Sequence, residues 1–265
     1  MMLLDLVEIS EAFRAVGVSH GDVVMIHSDI SRIGWPRNAQ LRDQVPWSYL
    51  DAIWEVLGEA GTVVVLACTE SYGRDGRPYD HQTSPSEQGV LSEHLRTHPQ
   101  ARRSLHPLFS VAAMGPRAEQ ICSIGISPAS FGHNSPFQRM MELDTRIVCM
   151  GVDLLAMTFV HHVEQTFGVP YGYTKEWSAP VLCEGKPVDR RFFAFVRYLN
   201  AGIEYDFSRL QDDLRNRGLA QTTRLGYGNV WGVRMRDVFH VGMERLSEDP
   251  FYFLAGPPTR EPWRQ

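Results

Sequence analysis

The sequence predicts an α/β layered protein, and three observations carry that expectation. Apolar runs at Val23 to His27, Thr62 to Thr69 and Arg146 to Val152 have strand length, and the second and third are continuous enough to be buried on both faces. Stretches with helical spacing separate them. Each run ends in a polar loop, and in open α/β sheets ligands collect beyond the carboxyl ends of the strands.

In chain order, residues 3 to 16 place apolar side chains at helical spacing up to Gly17, and the first strand then runs into Ser28, Asp29, Ile30 and Ser31. Pro46 to Leu57 reads as a helix closed by Gly58, and Gly61 leads into the second strand. From Glu70 to Ser86 there is no periodicity, only frequent Gly, Pro, Asp and Ser, which predicts a long loop. Ser84 and Pro85 are a cap and first-turn pair for a helix reaching His98. Ser110 to Met114 reads as a strand and Pro116 to Ile124 as a helix, and Ser135-Pro136 repeats the helix-start signal. The strand from Arg146 delivers the chain to a helix that carries Thr158, His161 and Glu164 at steps of three. That spacing puts them on one stripe, with Phe159, Val160, Val163 and Phe167 facing a core. Beyond Pro170 the pattern weakens to short strands around Ala179 to Cys183, helices at Phe192 to Asn200 and Ser208 to Arg217, and a helix or strand near Val238 to Leu246. Neither a repeat nor a linker divides residues 1–265, so a single domain is expected.

With 265 residues, 43% apolar and 22% charged, the chain can bury a sizeable core. No apolar run is long enough to span a bilayer, and MMLLDLVEIS carries acids where a secretory signal needs bases. A cytoplasmic protein with no membrane partner is the expectation. The cysteines agree: Cys68 and Cys149 lie in apolar runs, Cys122 in a helix, Cys183 in a short apolar patch, and no CxxC spacing occurs. Residues 1–169 hold 12 basic and 19 acidic side chains, a net −7, while 170–265 hold 14 and 12, a net +2. Neither half is a nucleic-acid footprint.

Several motifs fail on context. Gly17 to Gly21 (GVSHG) has the GxSxG form of a hydrolase elbow, but a helix precedes it and a strand follows, the reverse of what that elbow needs. Arg215 to Ala220 (RNRGLA) has the form of the phosphate loop of GCN5-type acetyltransferases, but follows a charged helical stretch rather than a strand. His94 and His98 share a helical face, yet Leu95 stands where a zincin has its glutamate, and His161, adjacent His162 and Glu164 diverge around a helix, so no metal is expected. His161 with Glu164 survives. The carboxylate can hold one imidazole nitrogen while the other takes a proton from a nucleophile, with His106 as a further polar group and Thr158 as a donor to a developing oxyanion. The residues alone reach a transferase or a hydrolase with a general base.

HSDISRIG at 27–34, GTVVVLACT at 61–69, RSLHPLFSVAAMGPRA at 103–118, FGHNSPF at 131–137 and MGVDLLAMTFVHHVEQ at 150–165 resemble, in order and spacing, the aminoglycoside 3-N-acetyltransferase family. The resemblance implies a three-layer α/β/α fold with a mixed central sheet, and transfer of an acetyl or other short acyl group from acetyl-CoA or another acyl-CoA to an amino sugar. By position it makes His161 the base or the residue orienting it, Glu164 its partner, Thr158 the oxyanion donor and His106 a neighbour of the reacting amine. It places coenzyme A along His27, Ser28, Asp29, Ile30 and Ser31 with Arg103 and Ser104 nearby, and Asp80 and His162 at the acceptor. Asp29 stands where the family usually has serine, His81 where proline is expected, and His162 where an apolar residue is common. The charge balance leans from a polycationic aminoglycoside toward a nucleotide-linked amino sugar. Two rivals stay open, a non-catalytic coenzyme A or sugar-binding protein of the same fold and an acyl-CoA hydrolase, and so does a homodimer.

Overall fold

The computed structural model describes residues 2–123 and 127–264. Its centre is a seven-stranded mixed sheet of β2 (Val23–Ser28), β4 (Thr62–Leu66), β6 (Arg102–Arg103), β7 (Val111–Met114), β8 (Arg146–Met150), β13 (Gln221–Leu225) and β14 (Gly228–Arg234). The spatial order is β13-β14-β8-β2-β4-β7-β6. β2 pairs parallel with β4 and β8, and the remaining neighbours pair antiparallel. Strands outside it are β1 (Leu3–Leu4) with β3 (Trp35–Pro36), β5 (Tyr79–Asp80) with β10 (Val181–Cys183) and β11 (Lys186–Pro187), and β9 (Gly172–Trp177) with β12 (Phe192–Arg197).

Period-two alternation divides the sheet side chains between two cores, which makes three layers. Val24, Ile26, Val63, Val65, Val148 and Met150 pack with Phe13 of α1 (Leu6–Ala15), Ile53 of α2 (Val45–Leu57) and Leu95 of α4 (Val90–Thr97). Met25, Val64, Leu66, Ile147 and Cys149 face the other way. They meet Ile121 of α5 (Ala118–Cys122), Met140 of α6 (Pro136–Glu142), Val163 of α7 (Val160–Phe167), Leu210 of α8 (Ser208–Asn216) and Val238 of α9 (Met235–Glu248). Among the described residues no helix is long and apolar enough to cross a membrane.

The three strands expected from their apolar runs are present, and the Ser135 hydroxyl caps α6 by accepting from the Gln138 N–H. Four expectations need correction. The segment 70–86 is not one loop, since it holds α3 (Glu70–Asp75) and β5. The helix expected from Ser84 starts only at Val90. Ser84 is spent in a turn with Asp80, the Pro85 carbonyl accepts from the Thr69 hydroxyl, and the Glu87 N–H bonds the Cys68 carbonyl, which straps the segment across the end of β4. Residues 192–197 are a strand rather than a helix. Phe192 to Arg197 pair antiparallel with Trp177 to Gly172, and a short aromatic run compatible with either period takes the conformation its partner offers. The helix expected over Pro116 to Ile124 is Ala118–Cys122, and Ile124 lies outside the described residues.

Candidate active site

The strand β8 ends at Met150, and Gly151 (φ 71°) turns the chain against the loop after β2, where a Cβ would stand 2.2 Å from the Asp29 carbonyl oxygen. A short turn leads to α7, so Thr158 precedes the helix, and His161 and Glu164 occupy its first two turns. The His161 Nδ1 lies 2.6 Å from Glu164 Oε2. Glu164 is fully buried and the His161 side chain is one-quarter exposed. The Tyr171 hydroxyl donates to Glu164 Oε1 at 2.7 Å and the Tyr205 hydroxyl to Oε2 at 3.4 Å. Burial first, then the charge of Glu164, pushes both phenols up, which keeps them donors. With Nδ1–H given to the carboxylate, Nε2 carries the lone pair. The rings of Phe131 and Tyr205 hold the imidazole at 5.8 and 5.3 Å between centroids.

His161 lines an open cavity of about 280 Å³, walled by Phe109, Trp177, Phe195 and Tyr205 with Lys175 and Arg197 at its edge. Tyr171, Tyr205 and Lys175 carry no signal in the sequence that marks them as site residues. Tyr171 and Tyr205 lie 7 and 41 positions from Glu164, beyond any helical spacing.

The remaining expected residues divide by whether their polar atoms are spent. The buried His106 accepts at Nδ1 from the Leu108 and Phe109 N–H groups (3.2 and 2.9 Å) and donates from Nε2 to the Phe193 carbonyl (3.1 Å). Burial lowers its pKa to about 4. It ties Phe109 to β12, with both ring nitrogens committed to backbone groups. Arg103 donates to Ser110 Oγ, the Ser84 and Ala67 carbonyls and Thr69 Oγ1, and Ser104 Oγ accepts from the Val111 N–H. Both are buried, with these side-chain atoms committed to the protein. His162 is stacked on Phe159 at 5.3 Å and accepts from the Gly132 N–H, with its pKa lowered to about 4 by burial. It belongs to the core, not to the His161 cavity. Asp80 Oδ1 accepts from the Gln82 and Thr83 N–H groups, a turn whose bond from Thr83 above all holds the carboxyl below its ordinary value. Neither Asp80 nor Thr158 lines the His161 cavity.

The 27–31 loop keeps capacity unspent. His27 is buried, its pKa lowered to about 4 by that burial, and its Nε2 has no hydrogen-bond partner. Ser28 is half-buried at the strand end. Asp29 accepts from the Ser31 N–H and hydroxyl and pairs with Arg32 at 2.9 Å, so the carboxylate that replaces the family's serine is neutralised in place. Ile30 and Ser31 border an apolar cavity of about 300 Å³ with Trp35, Val90 and Tyr227.

Residues 25–247 match the aminoglycoside 3-N-acetyltransferase family. The chain belongs to that family. Aminoglycoside N(3)-acetyltransferase IV of Salmonella sp is 31% identical over 245 residues, covering 91% of this chain and 87% of the relative. A solved variant of aminoglycoside acetyltransferase AAC(3)-IVa, in complex with gentamicin, has a TM-score of 0.78 at 28% identity, covering 97% of this chain and 93% of that one. AAC-IIIb, solved as a binary complex with CoASH, shares the fold at a TM-score of 0.79 and 21% identity, with coverage of 97% and 100%. Membership makes this aminoglycoside 3-N-acetyltransferase relative an acyl-CoA-dependent N-acetyltransferase by class.

Proposed function

We propose that the enzyme moves an acetyl group from acetyl-CoA to an amine of an amino sugar in a ternary complex, with His161 as general base. The observation that carries this is the buried Glu164, whose two oxygens are taken by Tyr171 and by His161, so that His161 Nε2 is the lone pair left at the cavity. The acceptor nitrogen attacks the thioester carbon as its proton passes to Nε2. The imidazolium that forms is stabilised by Glu164, and the collapsing intermediate expels coenzyme A as the thiol, which takes up that proton. The family resemblance alone makes Thr158, in the turn before α7 and outside the lining of the cavity, the proposed donor to the oxyanion.

The coenzyme would run along Ser28 to Ser31, where backbone N–H groups and hydroxyls meet the phosphates and His27 offers an unspent nitrogen. For the acceptor, the relative solved with gentamicin brings the aminoglycoside class. A nucleotide-linked amino sugar is the second reading, favoured by Lys175 and Arg197 at the cavity. The test is thiol release from acetyl-CoA in parallel with aminoglycosides, with nucleotide-linked amino sugars and with no acceptor. Release that needs an amine supports transfer; equal release without one would make the protein a hydrolase.

A further inference from the structure

The His161 cavity offers an incoming ammonium rings rather than acids. Among the described residues no carboxylate lines it, whereas Phe109, Tyr173, Trp177 and Tyr205 do. Attraction for a cation there comes from π faces, of which indole is the strongest. Trp177 is held in place, because it packs against the cluster of Tyr72, Tyr79 and Phe192, and its buried Nε1 has no hydrogen-bond partner. Lys175 stands two positions earlier on β9, and the two-residue period of a strand puts both side chains on one face. Its Nζ lies over the Trp177 ring at 4.0 Å. Lys175 is exposed and has no ion pair or side-chain hydrogen bond among the described residues, so the ring alone holds its ammonium. Arg197 sits on the Tyr205 ring in a comparable way but is anchored to the Ile203 carbonyl at 3.0 Å. Lys175 is thus the cation of this wall that is free to leave.

An acceptor with ammonium groups besides the reacting one finds the best ring of the wall already occupied by an ammonium of the chain itself. We infer that the face of Trp177 under Lys175 is the seat of a non-reacting ammonium of the acceptor, and that Lys175 is a tethered competitor displaced when the acceptor binds. The inference rests on the transferase reading with an acceptor of the aminoglycoside class, whose reacting nitrogen is marked by His161. Displacement exchanges one cation–π contact for another on the same ring, so with Lys175 in place the seat adds little net affinity. Without Lys175 its full attraction goes to the acceptor.

The test is a double-mutant cycle read by calorimetric binding of gentamicin to the protein saturated with coenzyme A, which needs no turnover. It is run at about 0.15 M salt, where repulsion from exposed charges is damped. Lys175→Ala should tighten gentamicin about threefold, the strength of an exposed cation–π contact. Trp177→Leu should change little while Lys175 is present, and in the Lys175→Ala protein it should cancel that gain. A gain that survives Trp177→Leu would overturn the inference, because Lys175 would then act by charge alone. Unchanged or weaker binding by Lys175→Ala, or no gentamicin binding by any variant, would overturn it as well; weaker binding would make Lys175 a ligand instead of a competitor. So would a cycle that appears in coenzyme A affinity instead, since the ring would then serve the coenzyme. Lys175 is exposed, so Lys175→Ala decides the matter even if Trp177→Leu does not fold, and Trp177→Phe then replaces it and should reduce the gain. Failure of the transferase reading looks different: no amine-dependent thiol release, whatever the binding pattern.

Discussion

The turn before β7 and the start of α7 both present histidines, hydroxyls and charged groups within a few residues, and they do opposite things with them. Around Arg103, Ser104 and His106, the guanidinium, the hydroxyl and both imidazole nitrogens end on protein atoms, and the result is a strap that holds the segment 67–84 and the Phe109 wall. Around His161 the protein spends its buried bonds on Glu164 and leaves one imidazole nitrogen over. A polar motif becomes chemistry only where the fold stops short of satisfying it.

The sharpest way to break that contrast is to remove its two central residues. His161→Ala is expected to lower kcat by about 10³-fold, roughly 4 kcal/mol, as expected for loss of a general base. Coenzyme A binding by calorimetry should stay as in the wild type. Turnover within tenfold of wild type would remove His161 from the base role. Arg103→Met should act on the other axis. It removes the donor to the Ser84 carbonyl, to Ser110 Oγ and to Thr69 Oγ1, and one of the two donors to the Ala67 carbonyl, which keeps the Ser110 hydroxyl, and a loss of about 3 kcal/mol in urea-unfolding stability is expected. If that variant were fully stable but bound coenzyme A weakly, the strap would be a coenzyme site after all.

The legible parts of the molecule are those where one local signal decides. Val23 to His27, Thr62 to Leu66 and Arg146 to Met150 are apolar on both faces, and Ser135-Pro136 starts a helix with its own cap. His161 and Glu164 are three apart on a helix, so their contact follows from spacing. Phe192 to Arg197 is different. Its aromatic run suits either period, and its partner Gly172 to Trp177 is largely exposed and carries no apolar alternation to announce it. Pairing at long range decides, and the cavity wall with Lys175 and Arg197 is built by that pairing. For the same reason Tyr205 went unread, as did the commitment of Arg103, which reaches back to Ala67.

Burial also predicts a pH response in three histidines outside the catalytic pair. His27, His106 and His162 have their pKa lowered by burial to about 4, below the ordinary 6.5. Between those values the unfolded chain binds more protons, so the stabilisation is complete above the unfolded value and is lost as pH falls toward 4. Each such histidine should account for about 2 kcal/mol of the stability lost between about pH 7.5 and about pH 5. Urea unfolding of His162→Asn at both pH values should show a drop smaller by that amount. An unchanged drop would mean that His162 titrates normally.

The smallest effect sharpens the comparison most finely, because it removes a donor without touching the base. Tyr171→Phe withdraws the 2.7 Å bond to Glu164 Oε1, and Tyr205→Phe the 3.4 Å bond to Oε2. Loss of a bond that holds Glu164, and through it the His161 ring, in position should cost about tenfold in kcat through misplacement of the imidazole for the first and about threefold for the second. A merely structural loss would leave the shape of the pH–rate profile alone. Withdrawing a donor from Glu164 instead strengthens its hold on the His161 imidazolium, so the acid limb of the kcat profile should move to higher pH, more for Tyr171→Phe than for Tyr205→Phe. A lowered kcat with an unmoved limb in both variants would mean that the tyrosines only pack the site, and that Glu164 orients His161 without their help.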